Sequence, residues 1–270
     1  ELREVAYLDQ IRLFALDHPE EMTIFTSDKL KSPPFPDFRL FGVQERLYPV
    51  RARDHLGRDV RSRIVKLDAR YPDEFTRDYT GVAEMHALEL DFGPRAAKQK
   101  EAALVLNGWV DWGDSSSFLR MAQGEEVMTP PYLQVKDQQG QWQTVIEDMG
   151  LPAGKPKTLV VDLTDQFLSS SREIRIVTNL CLYWDEIFMT FDTAEPAVPM
   201  PEIPLQDAEL RFRGFSSVTI DPQRRQPEWF DYSQVSPVSM WNPTPGNYTR
   251  YGPVEELMGA VDDRFVIMGS

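Results

Sequence analysis

Apolar and polar residues alternate with a period of two through the middle of the chain, as in strands with one buried face. Residues 132–136 and 142–146 alternate in this way on either side of a turn that ends at Gly140, which predicts a β-hairpin. Strand-length segments recur about every ten residues, a spacing typical of sandwiches and not of alternating strands and helices. We therefore predict an all-β fold, an antiparallel β-sandwich or jelly roll with a few short helices, centred on residues 101–191. The other strands of this region are predicted at 82–92, 101–110, 158–163, 173–179 and 182–189.

Turn and cap residues predict two further elements. Residues 7–16 and 22–26 have strand character and are separated by a turn with His18 and Pro19, which favours a hairpin. A short helix is predicted over 116–123, with a serine hydroxyl at its start as the N-cap.

Positive charge is concentrated between residues 46 and 70 of an otherwise acidic chain. Val60, Ile64 and Leu67 recur there at helical spacing, with an aspartate available as N-cap. The pattern predicts a short basic helix near 59–70 that packs on the sheet. Its arginines form either a solvated, ion-paired face or an anion-binding patch.

Prolines mark the clearest boundary in the chain. Four of the twelve residues in 193–204 are proline, which predicts an extended linker. We expect the sandwich domain to span 1–192. Residues 205–270 are then a partial second β domain or strands that complete the first, and 229–251 is loop-like and rich in aromatic residues.

Composition narrows the function classes. The formal net charge of −14 disfavours binding to nucleic acid and to anionic membranes. No apolar segment approaches the roughly 18 residues of a membrane-spanning helix, so membrane insertion is not expected. Cys181 is the single cysteine, which excludes an intrachain disulfide and a cysteine zinc site, and its strand context predicts a buried, inert thiol.

Catalytic motifs are scarce. The three histidines, including His55, show no metal-binding spacing such as His-Glu-x-x-His. His86 lies in a predicted strand with Glu84 and Leu88 on its face; it is either a structural histidine or a general base beside Glu84. Ser115 lies in a Gly-Asp-Ser sequence, but no histidine follows it to act as its base, so serine hydrolysis is excluded. We assign no catalytic residue.

Acidic residues beside tryptophans suggest a metal or sugar site. Asp111, Asp114 and Asp185 lie near strand ends, where solvation, a structural Ca²⁺ ion or a catalytic acid pair would each account for them. We treat the three as candidate calcium ligands. Calcium is the one cofactor that the sequence suggests.

Aromatic residues near loops are the candidate ligand-binding groups, because rings outside the core can stack on sugars or on a partner protein. The alternatives are core packing for the strand residues and stapling of a long loop for the others. The candidates are Trp109, Trp112, Trp229, Trp241 and Tyr248.

Four segments resemble a known group of proteins. Residues 106–112, 131–135, 141–148 and 175–185 resemble the C-terminal region of exported bacterial proteins with FG-GAP (VCBS-type) repeats and ASPIC/UnbV-type segments. The Asp-x-Asp-x-Asp-Gly calcium loops of FG-GAP repeats are missing, so the chain would correspond to the flanking sandwich and not to the propeller. The pattern is also similar to galactose-binding-like jelly rolls. The resemblance implies an extracellular or cell-envelope location and carries over no active site.

Three functions remain open. The first is a non-catalytic module of an exported protein that binds carbohydrate or a protein partner through loop-end aromatic residues. The second is a carbohydrate-active enzyme with an acid pair near Asp111 and Asp185. The third is a structural domain that docks onto a neighbouring propeller or repeat domain.

Overall fold

The computed structural model describes residues 5–96, 101–111, 113–124, 127–239 and 244–269, and these are mostly β-structure. In chain order the strands are β1 (Val5–Leu8), β2 (Leu13–Phe14), β3 (Thr23–Thr26), β4 (Leu40–Val43), β5 (Arg51–Asp54), β6 (Arg77–Tyr79), β7 (Val82–Asp91), β8 (Ala103–Val110), β9 (Tyr132–Lys136), β10 (Trp142–Ile146), β11 (Lys157–Asp162), β12 (Glu173–Leu180), β13 (Leu182–Thr190), β14 (Glu202–Ile203), β15 (Glu209–Leu210), β16 (Phe215–Thr219), β17 (Trp229–Ser236), β18 (Gly252–Pro253) and β19 (Val266–Gly269). The helices are α1 (Gly93–Ala96), α2 (Ser115–Gln123) and two 3-10 turns, Arg61–Arg63 and Glu255–Leu257.

The larger sheet has six strands in the order β10-β9-β12-β7-β5, with β6 also paired to β7, and every pairing is antiparallel. The predicted hairpin is confirmed as β9 and β10. Asp137 holds its turn because the carboxylate accepts from the backbone N–H groups of Gln139 and Gln141 at 2.9 and 2.8 Å.

The smaller sheet, β11-β8-β13, lies against the larger one. Leu106 of β8 and Ile187 of β13 share a continuous core with Leu90 and Ile174 of the larger sheet, and all four are 0 or 1% exposed. Every residue of β8 is buried, so both faces of this strand are covered. The predicted all-β, sandwich-like fold is therefore confirmed.

Strands β3 and β4 pair with each other and cover part of the outer face of the smaller sheet. Phe25 packs on Phe188 there, with ring centroids 5.8 Å apart. Beside them lies the carboxylate of Glu186, whose side chain is 4% exposed. It accepts hydrogen bonds from Arg46 at 3.1 Å and from the Tyr48 hydroxyl at 2.6 Å, so its burial is compensated.

The chain divides into two compact units. The sandwich unit comprises residues 19–196 together with 221–227, and the second unit comprises 1–18, 197–220 and 228–270. The division at 196/197 lies within the segment predicted as a linker, although part of that segment forms β14.

The second unit consists of short two-stranded pairs, β1-β19, β2-β14, β15-β18 and β16-β17. Residues 1–18 group with this unit, whereas the predicted boundaries placed them in the 1–192 domain. The predicted hairpin of 7–16 with 22–26 is wrong, because β3 pairs with β4 while β1 and β2 pair with C-terminal strands. Residues 229–236 form β17, where we predicted a loop.

The helices are short, and one prediction fails. Helix α2 is confirmed, although Asp114 caps it and not a serine hydroxyl. The basic helix predicted near 59–70 is wrong: only the 3-10 turn Arg61–Arg63 forms, because Val60 donates its N–H to the carbonyl of Ala52 and the segment follows the sheet edge. None of the helices in the described residues is long and apolar enough to cross a membrane.

Candidate functional site

Trp109 was a candidate ligand-binding residue and lies in the core. Its ring stacks on Tyr183, with centroids 4.4 Å apart and planes at 10°, and only 4% of the residue is exposed. Tyr71 and Phe75 close the same cluster from a loop. Cys181 is fully buried beside them, as predicted, and burial raises the pKa of its thiol to about 12. The Trp109 ring therefore packs in the core of the sandwich and is not accessible to a ligand.

Asp111 follows β8 and is 2% exposed. Its two carboxylate oxygens are held by two arginines: Arg77 bonds to Oδ2, and Arg224 donates to Oδ1 from Nε at 2.8 Å and approaches it through a terminal nitrogen at 2.7 Å. The carboxylate is therefore engaged by two guanidinium groups, which makes it a poor candidate to bind a metal or a substrate.

Asp185 and Asp114 hold backbone N–H groups. Asp185 accepts from Asp68 and Ala69 at 3.0 and 3.1 Å, and Asp114 accepts from Ser117 at 2.9 Å. The structure does not bring the three predicted calcium ligands together, and within the described ranges no three His, Cys, Asp or Glu side chains are placed to hold a metal ion. The calcium hypothesis gains no support from this arrangement.

The cap formed by Asp114 leads to a pH prediction. Hydrogen bonds from Ser116 and Ser117 lower the pKa of this carboxyl from 3.8 to about 2. The bonds therefore stabilise α2 above pH 4 and are lost as the pH falls through about 2. We expect the amides of α2 to exchange faster with solvent over this interval. Asp114→Asn keeps a capping oxygen that does not titrate, so its α2 should lack this dependence; an unchanged dependence would contradict the assignment.

Two of the remaining aromatic candidates, Trp229 and Tyr248, lie in the second unit. Trp229 begins β17 and is 72% exposed. Tyr248 is 39% exposed and donates its hydroxyl to the carbonyl of Thr244. Trp112 and Trp241 lie outside the described residues. Of the five candidates, Trp229 has the ring most open to a ligand among those that the structure describes.

The sandwich has a cleft where its core becomes polar. The inward-facing residues of β7 change along the strand from Leu90 and Leu88 to His86 and Glu84, and Thr178 of β12 pairs directly with His86. A cavity lies at this polar end of the strand. The cavity measures about 30 Å³, room for one or two waters or a single hydroxyl group of a larger ligand. Its lining is formed by Asp54, His55, Pro72, Glu74, Phe75, His86, Ala87, Leu88, Ile176, Thr178, Leu182 and Trp184.

His86 is held in one orientation. Its ring stacks on Phe75, with centroids 4.4 Å apart and planes at 20°, and Nδ1 lies 3.0 Å from the carbonyl oxygen of Glu84. Burial lowers the pKa of His86 below its usual 6.5, so the ring is neutral at pH 7. Since a carbonyl only accepts, Nδ1 carries the proton, and Nε2 is a hydrogen-bond acceptor in the lining of the cleft.

His55 and Glu84 are the titratable neighbours of His86. The two imidazole rings lie 6.0 Å apart, and Nε2 of His55 is 3.3 Å from Oε1 of Glu84. Glu84 also accepts the N–H of Thr76 at 2.7 Å, and this bond, with a smaller contribution from His55, lowers the pKa of its carboxyl. Glu84 is thus ionised and lies close to Nε2 of His55, which is buried and makes no hydrogen bond to the described residues.

The rim of the cleft is built from a turn and a loop. Asp54 holds the turn after β5 by accepting the N–H groups of Leu56 and Arg58 at 3.0 and 2.9 Å. The Arg58 guanidinium reaches from this turn to Glu74, 3.3 Å away. Glu74 keeps 46% of its side chain exposed, so it is the carboxylate at this rim most open to a ligand.

The lining of the cleft combines polar and aromatic side chains. It offers an imidazole acceptor in a fixed orientation, an ionised carboxylate and an aromatic wall, a combination suited to hydrogen bonding of hydroxyl groups. Sequence reasoning identified His86 and Glu84 from the alternation of β7 but missed His55 and Glu74 as their neighbours. Those two lie in irregular segments, where no periodicity indicates which way a side chain points.

Comparison of the chain with protein-family models, curated proteins and solved structures finds no match. The likeness to FG-GAP and ASPIC/UnbV-type proteins therefore remains a prediction from the sequence.

Proposed function

We propose that this chain is a non-catalytic β-sandwich binding module of an exported protein, and that the cleft around His86 binds carbohydrate. The observation that carries the proposal is the inward-facing, neutral imidazole of His86, whose protonated Nδ1 is bound to a carbonyl and whose Nε2 is an acceptor within a lined cleft. A buried polar group of this kind favours a ligand that supplies a hydrogen-bond donor.

The chemistry of the lining suits a sugar better than an ion. The two imidazoles, Glu74 and Glu84 provide donors and acceptors over a few ångströms, as a ligand with several hydroxyl groups requires. The cavity of about 30 Å³ admits one such group while the rest of the ligand stays at the open rim. Phe75 and Trp184 are largely buried and make the inner wall of the same cavity apolar.

Catalysis is not part of the proposed function, because the candidate acid pair is engaged in other contacts. The acid pair that we considered, Asp111 and Asp185, is engaged in arginine and backbone contacts. A glycosidase needs one carboxyl to donate a proton and a second to attack or activate water. Carboxylates that accept bonds from fixed donors are poor candidates for either role.

The export part of the proposal rests on the resemblance to FG-GAP and ASPIC/UnbV-type proteins and on nothing in the fold. It predicts an extracellular or cell-envelope location. Fractionation of the source cells, with immunoblotting of each compartment, would test it.

A glycan array with the whole chain, run with and without chelator, tests carbohydrate binding. We expect binding to at least one glycan class in both conditions, because among the described residues no three His, Cys, Asp or Glu side chains are placed to hold a metal ion. Glu74→Gln should weaken that binding without unfolding the protein, since this side chain is 46% exposed. Glu147→Gln, an exposed change outside the cleft, is the matched control and should bind normally. No binding to any glycan would overturn the proposal.

A second candidate is docking to a neighbouring repeat or propeller domain through the second unit. Phe212 and Tyr251 are 53 and 61% exposed, and their ring centroids lie 6.5 Å apart. Phe215 adds to this apolar surface at 6.2 Å from Phe212. Exposed clusters of aromatic residues often mark protein interfaces. Co-purification of the wild type with a neighbouring domain, lost in Phe212→Ser, would support docking; equal recovery of both proteins would contradict it.

A further inference from the structure

His86 has one nitrogen that can serve a ligand. The carbonyl oxygen of Glu84 lies 3.0 Å from Nδ1 and holds the proton of the neutral ring there, so Nε2 is the acceptor. Phe75 stacks on the ring, with centroids 4.4 Å apart, and keeps it in this orientation. While the bond to Glu84 persists, the acceptor at Nε2 is lost only when the ring gains a second proton.

Protonation of His86 reverses the role of Nε2. An imidazolium ring carries a proton on each nitrogen and has no acceptor. A ligand donor directed at Nε2 would then face another N–H group. A ligand hydroxyl that turned to accept instead would still exclude water from a charged ring, which is unfavourable. The cleft therefore binds such a ligand better while His86 is neutral.

His55 is a second titratable ring beside the first. The two ring centroids lie 6.0 Å apart, and Nε2 of His55 is buried without a hydrogen bond to the described residues. Oε1 of Glu84 lies 3.3 Å from this nitrogen, so a protonated His55 would form an ion pair there. Burial is the main reason that the pKa of His86 lies below 6.5, and His55 lowers this pKa further. Acid thus adds positive charge to two neighbouring rings.

The carboxylates around the cleft titrate at lower pH than an imidazole. Burial raises the pKa of Asp54, but hydrogen bonds from Arg58 and Leu56 outweigh burial and hold this pKa below its usual 3.8. Hydrogen bonds from Thr76 hold the pKa of Glu84 below 4.5. Strands β12 and β13 contribute side chains to the lining that do not titrate, namely Ile176, Thr178, Leu182 and Trp184. The charged or titratable side chains beside His86 and at the rim are Asp54, His55, Arg58, Glu74 and Glu84.

We propose that the cleft binds its carbohydrate at neutral pH and releases it at mildly acidic pH, because acid removes the acceptor of His86 and charges the paired rings. This inference rests on the proposed function and adds the regulation of the same site. The direction follows from linkage: the affinity is complete where His86 is neutral and falls as the pH drops through the pKa of His86. For one proton the fall is up to about tenfold for each pH unit.

Calorimetric titration of the whole chain tests the proposal, with the glycan of strongest array signal as the probe. We expect the affinity to be several-fold lower at about pH 5 than at about pH 7.5. Equal affinity at both pH values would overturn this inference and leave the proposed function standing. No glycan binding at either pH would overturn both.

Variants assign the effect to one side chain. His86→Gln has an amide oxygen that can accept near the position of Nε2 and does not titrate, so its binding should be weaker but independent of pH. Glu74→Gln should bind more weakly and keep the pH dependence, and its loss there would assign the effect to a carboxylate and overturn the proposal. His18→Gln, in the second unit, is the matched control and should behave as the wild type.

Nitrogen-15 NMR of the wild type provides a test that does not depend on the folding of any variant. The pH at which half of His86 is protonated should coincide with the pH at which the affinity begins to fall. Loss of affinity at a pH where the His86 ring is still fully neutral would overturn the proposal.

Discussion

Replacement of Asp111 by alanine should lower the free energy of unfolding by about 3 kcal/mol, the lower end of the range for breaking a buried ion pair. The change leaves Arg77 and Arg224 facing each other without the carboxylate that separates them. We place the loss at the lower end because their side chains are 22 and 28% exposed and keep part of their hydration. Urea unfolding followed by tryptophan fluorescence measures the effect.

Amide hydrogen exchange shows which part of the protein the Asp111→Ala substitution destabilises. Residues 221–227, which contain Arg224, should lose protection in Asp111→Ala. The β9–β10 hairpin, in a different part of the sandwich unit, should keep its protection until global unfolding. Asp137→Ala, which removes a half-buried carboxylate at that hairpin turn, is the matched control and should leave residues 221–227 unchanged. Stability equal to that of the wild type in Asp111→Ala would mean that the ion pairs contribute nothing to the fold.

Glu186→Ala should have a comparable or larger effect, about 3–5 kcal/mol. The substitution removes a carboxylate that accepts bonds from Arg46, Tyr48 and Asn107, the last at 3.0 Å. It leaves polar groups unpaired between the smaller sheet and the β3–β4 ribbon, together with a cavity. Thermal and urea unfolding measure the loss.

Glu186→Gln separates charge from shape. The amide keeps one acceptor oxygen and nearly the same volume, so the loss should be clearly smaller than in Glu186→Ala. Burial, followed by the bond to Glu186, also raises the pKa of the Tyr48 hydroxyl, and this pKa should fall towards its usual value of 10.0 in the glutamine variant. Equal destabilisation by alanine and glutamine would show that the negative charge, and not packing, decides stability here.

Local sequence signals predicted the sandwich because its strands obey short-range rules. The hairpin of β9 and β10 has its turn residues in place, and the alternation of β7 placed Glu84, His86 and Leu88 on one face correctly. Pairings between distant segments were missed. Strands β1 and β19 pair with each other although they lie near opposite ends of the chain. Nothing in the sequence of either strand specifies that partner.

The failed predictions have a common cause. Val60, Ile64 and Leu67 recur at helical spacing, which predicted one helical face packed on the sheet. Ile64 is fully buried but Leu67 is 58% exposed, because the segment forms only a 3-10 turn. Trp109 was considered for ligand binding because it lies near a strand end. Its stacking on Tyr183 depends on the register of β8 with β13, and no pattern within either strand specifies that register.

Only part of the candidate site could be predicted from the sequence, because only some of its residues lie in a regular strand. His86 and Glu84 belong to a regular strand, so their shared face follows from alternation. His55 and Glu74 contact them from irregular segments, which have no periodic pattern. Arg224 likewise contacts Asp111 although the two residues are 113 positions apart in the sequence. Such encounters are set by tertiary packing.

The histidine side chains provide the most direct test of the central claim, which is that the cleft around His86 binds carbohydrate. Nitrogen-15 NMR of the imidazoles reports each ring separately, and His18, which belongs to the second unit, serves as an internal reference. Before ligand is added, His86 should show a neutral ring with its proton on Nδ1. A glycan that binds in the array should then shift the signals of His86 and His55 and leave His18 unchanged. A bound glycan that leaves His86 and His55 unshifted would contradict the account.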